Sequence, residues 1–348
     1  MNARIDALRG LLHELHEQLL VVDRVNIRYL TGFDSSNAAL LVTEDELTLY
    51  SDFRYASAAR AVEDVQFVET KRALLADLAQ RLAGSLDFEA SSISYADFET
   101  LNAGTIELVP RHGLVERLRA TKDEQEIAAI RRASDITTEA LEAFAQESFV
   151  GRTERELAWR LELLLRELGA ERIAFDIVLA SGPNGGLPHS HAGDRVVQSG
   201  DAIVVDAGAM VDGYCSDCTR TFAAGEAPEW LKKAYPVCLE AQLAGLAAVR
   251  PGVTGVDADR AAREVMEAAG YGEAFGHGLG HGVGLLIHEG PRLSTESKDV
   301  LVEGNVVTVE PGIYLEDVGG VRIEDLVVVR EGRPEILTGF TKELVTVH

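Results

Sequence analysis

The sequence predicts an α+β protein of two domains, a smaller N-terminal α/β domain over residues 1–118 and a larger domain over residues 119–348. Short apolar strands alternate with short helical patterns in the first part, whereas long helices with one apolar face begin near residue 121. In the larger part, two predicted helices are followed by a strand-rich segment that carries two acidic residues, and this order then occurs a second time. This repeated order predicts two halves related by a pseudo-two-fold axis.

The N-terminal domain is predicted to be a small sheet with flanking helices. Apolar runs bounded by polar turns indicate strands, and apolar residues at helical spacing indicate helices. The opening residues have the pattern of an amphipathic helix that carries Asp6 and Glu14, which is not the pattern of a signal peptide. No residue here stands out as catalytic. The predicted strands are 19–22, 38–42, 47–50, 66–68 and 106–109, and the predicted helices are 52–62 and 71–83.

Four longer helices are predicted in the larger domain. Thr121 followed by Glu124 has the spacing of a capping box, which predicts a helix that continues to about residue 145. Thr153 and Glu156 repeat this spacing and predict a second helix that ends before Gly169. A strand over 175–180 and a loop rich in glycine and proline come next. The other two helices are predicted over 228–249 and 254–269.

Composition excludes several classes of function. The chain has 33 Lys and Arg against 57 Asp and Glu, a formal charge of −24, so we expect no binding to nucleic acid or to anionic membranes. No stretch approaches the roughly 18 apolar residues of a membrane span. Three cysteines, an odd number, favour a reducing, cytoplasmic location without structural disulfides. Cys215 and Cys218 form a CxxC pattern, but no second CxxC exists, and we interpret them as packing residues.

Four acidic residues interrupt apolar strands. Asp206 ends the strand IVVD, and Asp217 lies on the following strand beyond an Asp212-Gly213 turn. A hairpin there would bring the two acids roughly opposite each other on one face. Glu310 and Glu324 interrupt a second pair of strands. Buried carboxylates in one place repel one another and lose hydration unless a cation compensates them.

A pair of divalent metal ions explains this arrangement best. His281 would add one nitrogen ligand to an otherwise oxygen-rich set that contains no thiolate. Such a set suits Mn²⁺, Co²⁺, Fe²⁺ or Zn²⁺ and disfavours a structural zinc site. Two metal ions that share carboxylates would activate a water to attack a carbonyl or phosphoryl centre. His277 and His281 are four residues apart, but the intervening glycines make a helical zinc-protease motif improbable.

These segments resemble the aminopeptidase P/prolidase branch of the pita-bread metallopeptidases. The similarity covers about residues 121–340 and rests on DAGAMVDGYCSDCTRTF, HGLGHGVGLLIHE, VEPGIY and GGVRIED. It implies a pita-bread domain whose halves surround a curved antiparallel sheet. The N-terminal part, with YLTGF and DFRY, is similar to the N-domain of compact bacterial members. The implied metal ligands are Asp206, Asp217, His281, Glu310 and Glu324.

The resemblance also implies roles for residues around the metals. Glu310 would act as the proton shuttle, and His189 in the LPH motif and His288 would stabilise the oxyanion and hold the peptide. His277 would line the proline pocket. Arg322, at the position of the arginine usual in the proline-specific branch, would steady the cluster or bind the carboxyl side of the substrate. Two Mn²⁺ ions are the expected cofactors, with Co²⁺, Zn²⁺ or Fe²⁺ as alternatives. A homodimer is expected, with the N-domain bordering the partner's active site.

The implied activity is hydrolysis of the peptide bond between an N-terminal residue and proline in short peptides. Two versions remain open: an Xaa-Pro dipeptidase (a prolidase), which we favour, and an Xaa-Pro aminopeptidase that accepts longer peptides. A third alternative belongs to another class, a non-catalytic pita-bread module that binds peptide. Such modules typically lose metal ligands, whereas all five ligand positions are filled here.

Overall fold

A computed structural model of the chain describes residues 3–12, 18–188 and 190–348. These residues fall into two compact units, Met1–Arg119 and Ala120–His348. His189, the histidine of the LPH motif, lies outside the described residues, as do Glu14 and the histidines near the N-terminus. None of the described helices is both long enough and apolar enough to cross a membrane.

The first unit is built on a six-stranded mixed sheet. Strands β1 to β3 form antiparallel neighbours, and β4, β5 and β6 join in parallel, giving the order β4-β3-β2-β1-β5-β6. Its elements are α1 Ala3–Leu12, β1 Gln18–Val21, α2 Arg24–Thr31, β2 Ala38–Thr43, β3 Leu47–Asp52, α3 Ala56–Ala59, β4 Gln66–Thr70, α4 Leu74–Arg81, β5 Gly84–Glu89, α5 Tyr95–Asn102, β6 Ile106–Arg111 and α6 Leu114–Ala120.

This unit differs from the prediction in several places. Helices α2, α5 and α6 were absent from the prediction. The helix expected over 52–62 is wrong in extent, because only Ala56–Ala59 is α-helical. Asp52 instead ends β3 and accepts hydrogen bonds from the backbone and guanidinium of Arg54, which turns the chain before the helix begins. Strand β5 was absent from the prediction because its buried acids, Asp87 and Glu89, break the apolar pattern.

The second unit contains four long helices and four sheets. Helix α7 packs on α8, and α9 packs on α10. Its elements are α7 Glu124–Phe144, α8 Glu154–Glu167, β7 Arg172–Ile173, β8 Val178–Ser181, β9 Ala202–Ala207, β10 Ala209–Val211, β11 Tyr214–Cys215, β12 Cys218–Ala224, α9 Glu229–Ala248, α10 Gly255–Ala268, β13 Gly280–Gly282, β14 Glu289–Leu293, β15 Val306–Val309, β16 Gly312–Leu315, β17 Gly319–Arg322, β18 Asp325–Val328, β19 Glu335–Ile336 and β20 Val345–Val347.

The order of elements in the second unit repeats as the sequence indicated. Helices α7 and α8 precede the antiparallel pair β9–β12 within a four-stranded sheet of order β20-β12-β9-β8. Helices α9 and α10 precede the antiparallel pair β15–β18 within a five-stranded sheet of order β14-β13-β15-β18-β19. Each pair of strands is backed by its own apolar core. The carboxylates of the predicted site therefore reach it from two separate strand pairs.

Helix capping follows one prediction and corrects another. Thr153 caps α8, and its backbone N–H donates to the Glu156 carboxylate, as expected. The capping box at Thr121 is wrong, because α7 is capped by Asp123 together with Glu126. Thr121 instead forms a β-bridge with Asn305, so tertiary pairing removes it from the helix.

The three cysteines are free and buried, as the packing interpretation requires. Cys218 belongs to the core beneath β9–β12, and Cys238 belongs to the core beneath β15–β18. Cys215 packs in a third cluster with Met210 and Val283. Cys215 and Cys218, the two cysteines of the CxxC pattern, therefore pack in different apolar clusters. This arrangement excludes a shared redox or zinc role for the two thiols.

Candidate metal centre

The first pair of acids is placed by the register of one hairpin. Asp212 and Gly213 both have positive φ, at 49° and 77°, which is the conformation of a tight two-residue hairpin turn. Asp206 pairs with Thr219, so Asp217 lies two residues from the position opposite Asp206. The two acids are thus roughly opposite each other, as predicted, with an offset of two residues. They are diagonal neighbours, and period-two alternation still gives them the same face.

The second pair of acids continues the β15–β18 ladder. The last paired residues are Val309 and Asp325, so Glu310 and Glu324 occupy the next position on either side. The backbone N–H of Glu310 donates to Leu279 O at 2.8 Å, and that of Glu324 donates to Thr219 O at 3.1 Å. The second of these bonds joins β12 directly to the segment that carries Glu324.

Three of the carboxylates converge on one point. One oxygen each of Asp206, Asp217 and Glu324 lies within 4.8 Å of the other two. Asp217 and Glu324 are 4% and 1% exposed, and Asp206 is partly buried. This separation is small enough for a single cation to contact all three groups.

His281 and Glu310 extend this cluster. The His281 Nε2 atom lies 3.3 Å from Glu310 Oε1 and 3.6 Å from Asp217 Oδ2. Its Nδ1 atom lies 3.1 Å from Gly282 O, and a carbonyl oxygen only accepts hydrogen bonds. Nδ1 therefore carries a proton, and Nε2 is the ring nitrogen that faces the carboxylates. This is the orientation that a histidine ligand requires.

The electrostatics of the cluster are unfavourable for carboxylates alone. Burial raises the pKa of Asp217 well above its usual value, and the charges of Glu324, Asp206 and Glu310 raise it further. Burial likewise raises the pKa of Glu324, followed by the charges of Glu310 and Asp206. Without a compensating cation, Asp217 and Glu324 would therefore tend to be protonated and uncharged.

Arg322 is the cation that the structure places in the cluster. Its Nη2 donates to Asp206 Oδ2 at 2.7 Å, its Nε donates to Thr219 Oγ1 at 2.9 Å, and its Nη1 donates to the Tyr314 hydroxyl at 2.9 Å. The residue is 5% exposed. One arginine cannot balance four acids, so a further positive charge is still required.

Three residues of the site were absent from the sequence prediction. Thr219 donates to Glu324 Oε2 at 2.7 Å, Thr308 donates to Glu310 Oε1 at 3.0 Å, and Tyr314 is bound by Arg322. Thr308 also accepts from the His281 backbone N–H at 3.0 Å. Threonine is common in strands, so these residues carried no chemical signal. The available signal was the position of Thr219 and Thr308, each two residues from one of the predicted ligand acids.

The remaining predicted site histidines have different outcomes. His277 Nε2 lies 3.0 Å from the Tyr314 hydroxyl, which links it to Arg322. The His288 ring stands edge-on to the His281 ring with centroids 4.4 Å apart. Burial, followed by the proximity of His281, lowers the pKa of His288. The structure thus brings both histidines next to the cluster, and the role of His189 stays a prediction.

The donor set fits divalent metal ions. Asp206 Oδ1 is buried and has no hydrogen-bond partner among the described residues, although Oδ2 is bound by Arg322. A buried carboxylate oxygen without a donor is costly unless a cation takes that place. The donors are carboxylate oxygens and one imidazole nitrogen, which are the ligands that Mn²⁺, Co²⁺, Fe²⁺ and Zn²⁺ accept.

A buried, oxygen-rich donor set where two antiparallel strand pairs meet defines the class of the protein, a metal-dependent hydrolase. The chain belongs to metallopeptidase family M24, whose model matches residues 128–331. The model of the creatinase/prolidase N-terminal domain matches residues 4–121. The family predicted from the motifs is thereby confirmed, together with a pita-bread domain preceded by a smaller N-terminal domain.

Relatives of known structure cover nearly the whole chain. An Xaa-Pro dipeptidase from Bacillus anthracis superposes with a TM-score of 0.95 at 36% identity, over 99% of both chains. An X-Pro aminopeptidase from Thermotoga maritima superposes with a TM-score of 0.88 at 37% identity, over 95% of this chain and 97% of that one. In sequence, an Xaa-Pro dipeptidase from Pyrococcus horikoshii is 36% identical over 94% of both chains.

Proposed function

We propose that the chain is a metal-dependent Xaa-Pro dipeptidase, which hydrolyses the bond between an N-terminal residue and a C-terminal proline. The observation that carries this proposal is the convergence of Asp206, Asp217 and Glu324 to within 4.8 Å, with His281 and Glu310 beside them. The dipeptidases from Bacillus anthracis and Pyrococcus horikoshii, similar over almost the entire chain, support the substrate class.

The proposed ligands of two divalent ions are Asp206, Asp217, His281, Glu310 and Glu324. Mn²⁺ is the ion we favour, with Co²⁺, Zn²⁺ or Fe²⁺ as alternatives. Ions bound there would supply Lewis acidity to the scissile carbonyl and lower the pKa of a water molecule towards neutrality. We further propose that residues 119–348 form the catalytic domain and that the protein is a cytoplasmic homodimer.

The chain's own residues would move the proton and hold the peptide. Glu310 is the proposed proton shuttle, because Thr308 and His281 fix its Oε1 atom at the edge of the cluster. His288, next to His281, would donate a hydrogen bond to the oxygen that gains charge, and His189 would hold the peptide. His277 would line the proline pocket beside Tyr314. Arg322 would keep Asp206 in place.

Proline explains why a dedicated enzyme is needed. Its amide nitrogen carries no hydrogen and its ring fixes φ. Peptidases that bind substrate as an extended strand use that hydrogen in pairing, so they accommodate this bond poorly. An exopeptidase that holds the N-terminal residue does not need a hydrogen bond from the amide nitrogen of the scissile bond.

A substrate panel tests the proposal. The purified chain, supplied with Mn²⁺, is assayed on Ala-Pro, Ala-Pro-Ala and Ala-Ala, and we expect rapid release of proline from Ala-Pro alone. Strong cleavage of the tripeptide with weak cleavage of Ala-Pro would instead establish the Xaa-Pro aminopeptidase, which the Thermotoga maritima relative favours. Comparable cleavage of Ala-Ala would refute proline specificity.

Elemental analysis separates both enzymes from a non-catalytic peptide-binding module. The chain is saturated with Mn²⁺, Co²⁺ or Zn²⁺, separated from free ion, and its bound metal is counted. We expect two ions per chain. A folded chain that retains none of these metals would refute the metalloenzyme and leave the binding module.

A further inference from the structure

Arg220 is the largest fully buried side chain among the described residues, and it lies on β12 next to Thr219. An arginine is rarely buried, because its charge and its five N–H donors must all be satisfied. The residue is 1% exposed, so water does not solvate it. Protein groups in contact with the guanidinium must therefore satisfy its charge and its donors.

All five donors of Arg220 are used, and four of the five accepting atoms are backbone carbonyl oxygens. Nη1 donates to Thr219 O at 2.9 Å and to Glu324 O. Nε donates to Thr341 O at 2.8 Å, and Nη2 donates to Phe340 O at 2.7 Å. The remaining bond, from Nη2 to Asp325 Oδ1 at 2.9 Å, supplies the counter-charge.

Asp325 is itself held in place from several sides. Besides Arg220, it accepts from Thr338 Oγ1 at 2.8 Å and Gln242 Nε2 at 2.9 Å, and Lys342 Nζ lies 2.5 Å from Oδ2. Asp325 directly follows Glu324 in the chain. The ion pair of Arg220 and Asp325 therefore fixes the backbone on which Glu324 is carried.

Two of the four carbonyl partners, those of Thr219 and Glu324, belong to the two halves of the metal cluster. Thr219 lies two residues beyond Asp217, and its side chain donates to Glu324 Oε2. The Glu324 N–H donates to Thr219 O, the same oxygen that Arg220 binds. One guanidinium thus joins the strand that follows Asp217 to the segment that carries Glu324.

We propose that Arg220 is a positioning residue that sets the separation of Asp217 and Glu324 and thereby the affinity of the site for divalent metal ions. The inference rests on the proposed function, because it takes those two residues as ligands. Groups that orient metal ligands from outside the coordination sphere typically change metal affinity by about 10–100-fold when they are replaced. Arg220 does not contact a ligand side chain; it binds the backbone of Glu324 and of Thr219, which follows Asp217 in the chain.

The substitution Arg220→Lys tests this role. Lysine keeps the charge but has three donors on a compact ammonium and cannot reproduce the planar fork. We expect the Kd for Mn²⁺, measured by isothermal titration calorimetry, to rise about 10–100-fold. The matched control is Arg111→Lys, because Arg111 pairs with the buried Asp87 at 2.6 Å in the first unit. A folded Arg220→Lys chain with the Kd of the wild type would overturn the proposal.

A second variant and a readout without metal keep the inference testable if Arg220→Lys does not fold. Asp325→Asn retains an acceptor for Nη2 while removing the counter-charge, and we expect a smaller rise in Kd. In the metal-free chain, hydrogen exchange of peptides covering 218–221 and 322–325 should accelerate at least tenfold. Unchanged exchange in a folded variant would contradict the positioning role.

A wild-type chain that binds no metal would refute the proposed function, while the exchange experiment still decides whether Arg220 holds the two segments together.

Discussion

Arg322 and Asp206 form a buried ion pair in which Nη2 and Oδ2 lie 2.7 Å apart. The side chains are 6% and 15% exposed, so water screens the pair weakly. The same guanidinium donates to Thr219 and Tyr314, while no group in the described part of the chain donates to the other oxygen of Asp206. Arg322 therefore occupies one side of Asp206 and leaves Oδ1 as its available ligand atom.

We expect Arg322→Met to destabilise the metal-free chain by about 3 kcal/mol, because it leaves a buried carboxylate without its counter-charge. Asp206→Asn should relieve that cost, so the double variant should be more stable than the sum of the single changes predicts. Urea unfolding of the four metal-free proteins completes the cycle. Strictly additive free energies of unfolding would show that the pair has no net coupling.

Asp217→Ala should abolish metal binding and hydrolysis while leaving the fold intact. Removing a buried carboxylate from three like charges relieves repulsion, so the free energy of unfolding of the metal-free chain should change by no more than about 1 kcal/mol. Circular dichroism, elemental analysis and the Ala-Pro assay measure the three effects. Asp135→Ala, on an exposed position of α7, is the control and should behave as wild type. Wild-type turnover by the Asp217 variant would refute the ligand assignment.

Glu154 is predicted to fix the loop between Ser181 and Gly193. Its buried carboxylate accepts from the N–H and hydroxyl of Ser181 at 2.8 and 2.7 Å, from Asn184, and from the Gly193 N–H at 3.1 Å. Glu154→Ala leaves the buried donors of Ser181 and the partly buried donors of Asn184 and Gly193 without this acceptor. We expect this to cost about 3 kcal/mol in the free energy of unfolding.

Hydrogen exchange across 181–193 measures this effect, and it should be faster in Glu154→Ala than in the wild type. Glu162→Ala is the matched control on the same helix, since Glu162 forms only a partly exposed ion pair with Arg166. Equal protection of the loop in both variants would contradict the prediction.

The first unit should lose stability as the pH rises through neutrality. Burial raises the pKa of Glu89 to about 7, although the N–H groups of Val22 and Asp23 and the amide of Asn26 donate to it and partly oppose this. The folded chain then holds this proton more tightly than the unfolded chain does. The contribution is present in full below the unfolded pKa and is lost as the pH rises through about 7, which amounts to about 3 kcal/mol.

Hydrogen exchange in β1 and β5, corrected for the intrinsic effect of pH, measures this dependence between pH 5 and pH 8. Glu89→Gln should flatten the dependence, because the amide does not titrate. Glu107→Gln, at an exposed position of β6, should retain the wild-type slope. A Glu89→Gln chain that still loses protection with rising pH would assign the effect to another group.

The metal cluster could be predicted from sequence because its chemistry is unusual for its surroundings. Acids inside apolar strands, an Asp-Gly turn and a histidine among glycines each carry information, and together they indicate a site. Thr219 and Tyr314 could not be found this way. Their contribution arises from strand register, which brings Thr219 to Glu324 across 105 residues of chain.

Helix starts show a second limit. Thr121 with Glu124 and Asp123 with Glu126 are overlapping pairs with the same spacing, and both satisfy the capping pattern. Only the pairing of Thr121 with Asn305 selects the second pair, and that contact is not visible in the local sequence. Strand β5 was missed for a related reason, since its buried acids are satisfied by partners distant in sequence, such as Arg111 for Asp87.

The division of the acids between two strand pairs has a consequence for how the protein matures. The pair β9–β12 supplies two carboxylates, and the ladder β15–β18 supplies the other two, more than 80 residues later. Neither half alone offers more than two of the four acids. If these acids bind metal as proposed, a nascent chain has no complete site until both halves have been synthesised and joined. The fraction of chains that hold metal would then measure how many have finished folding.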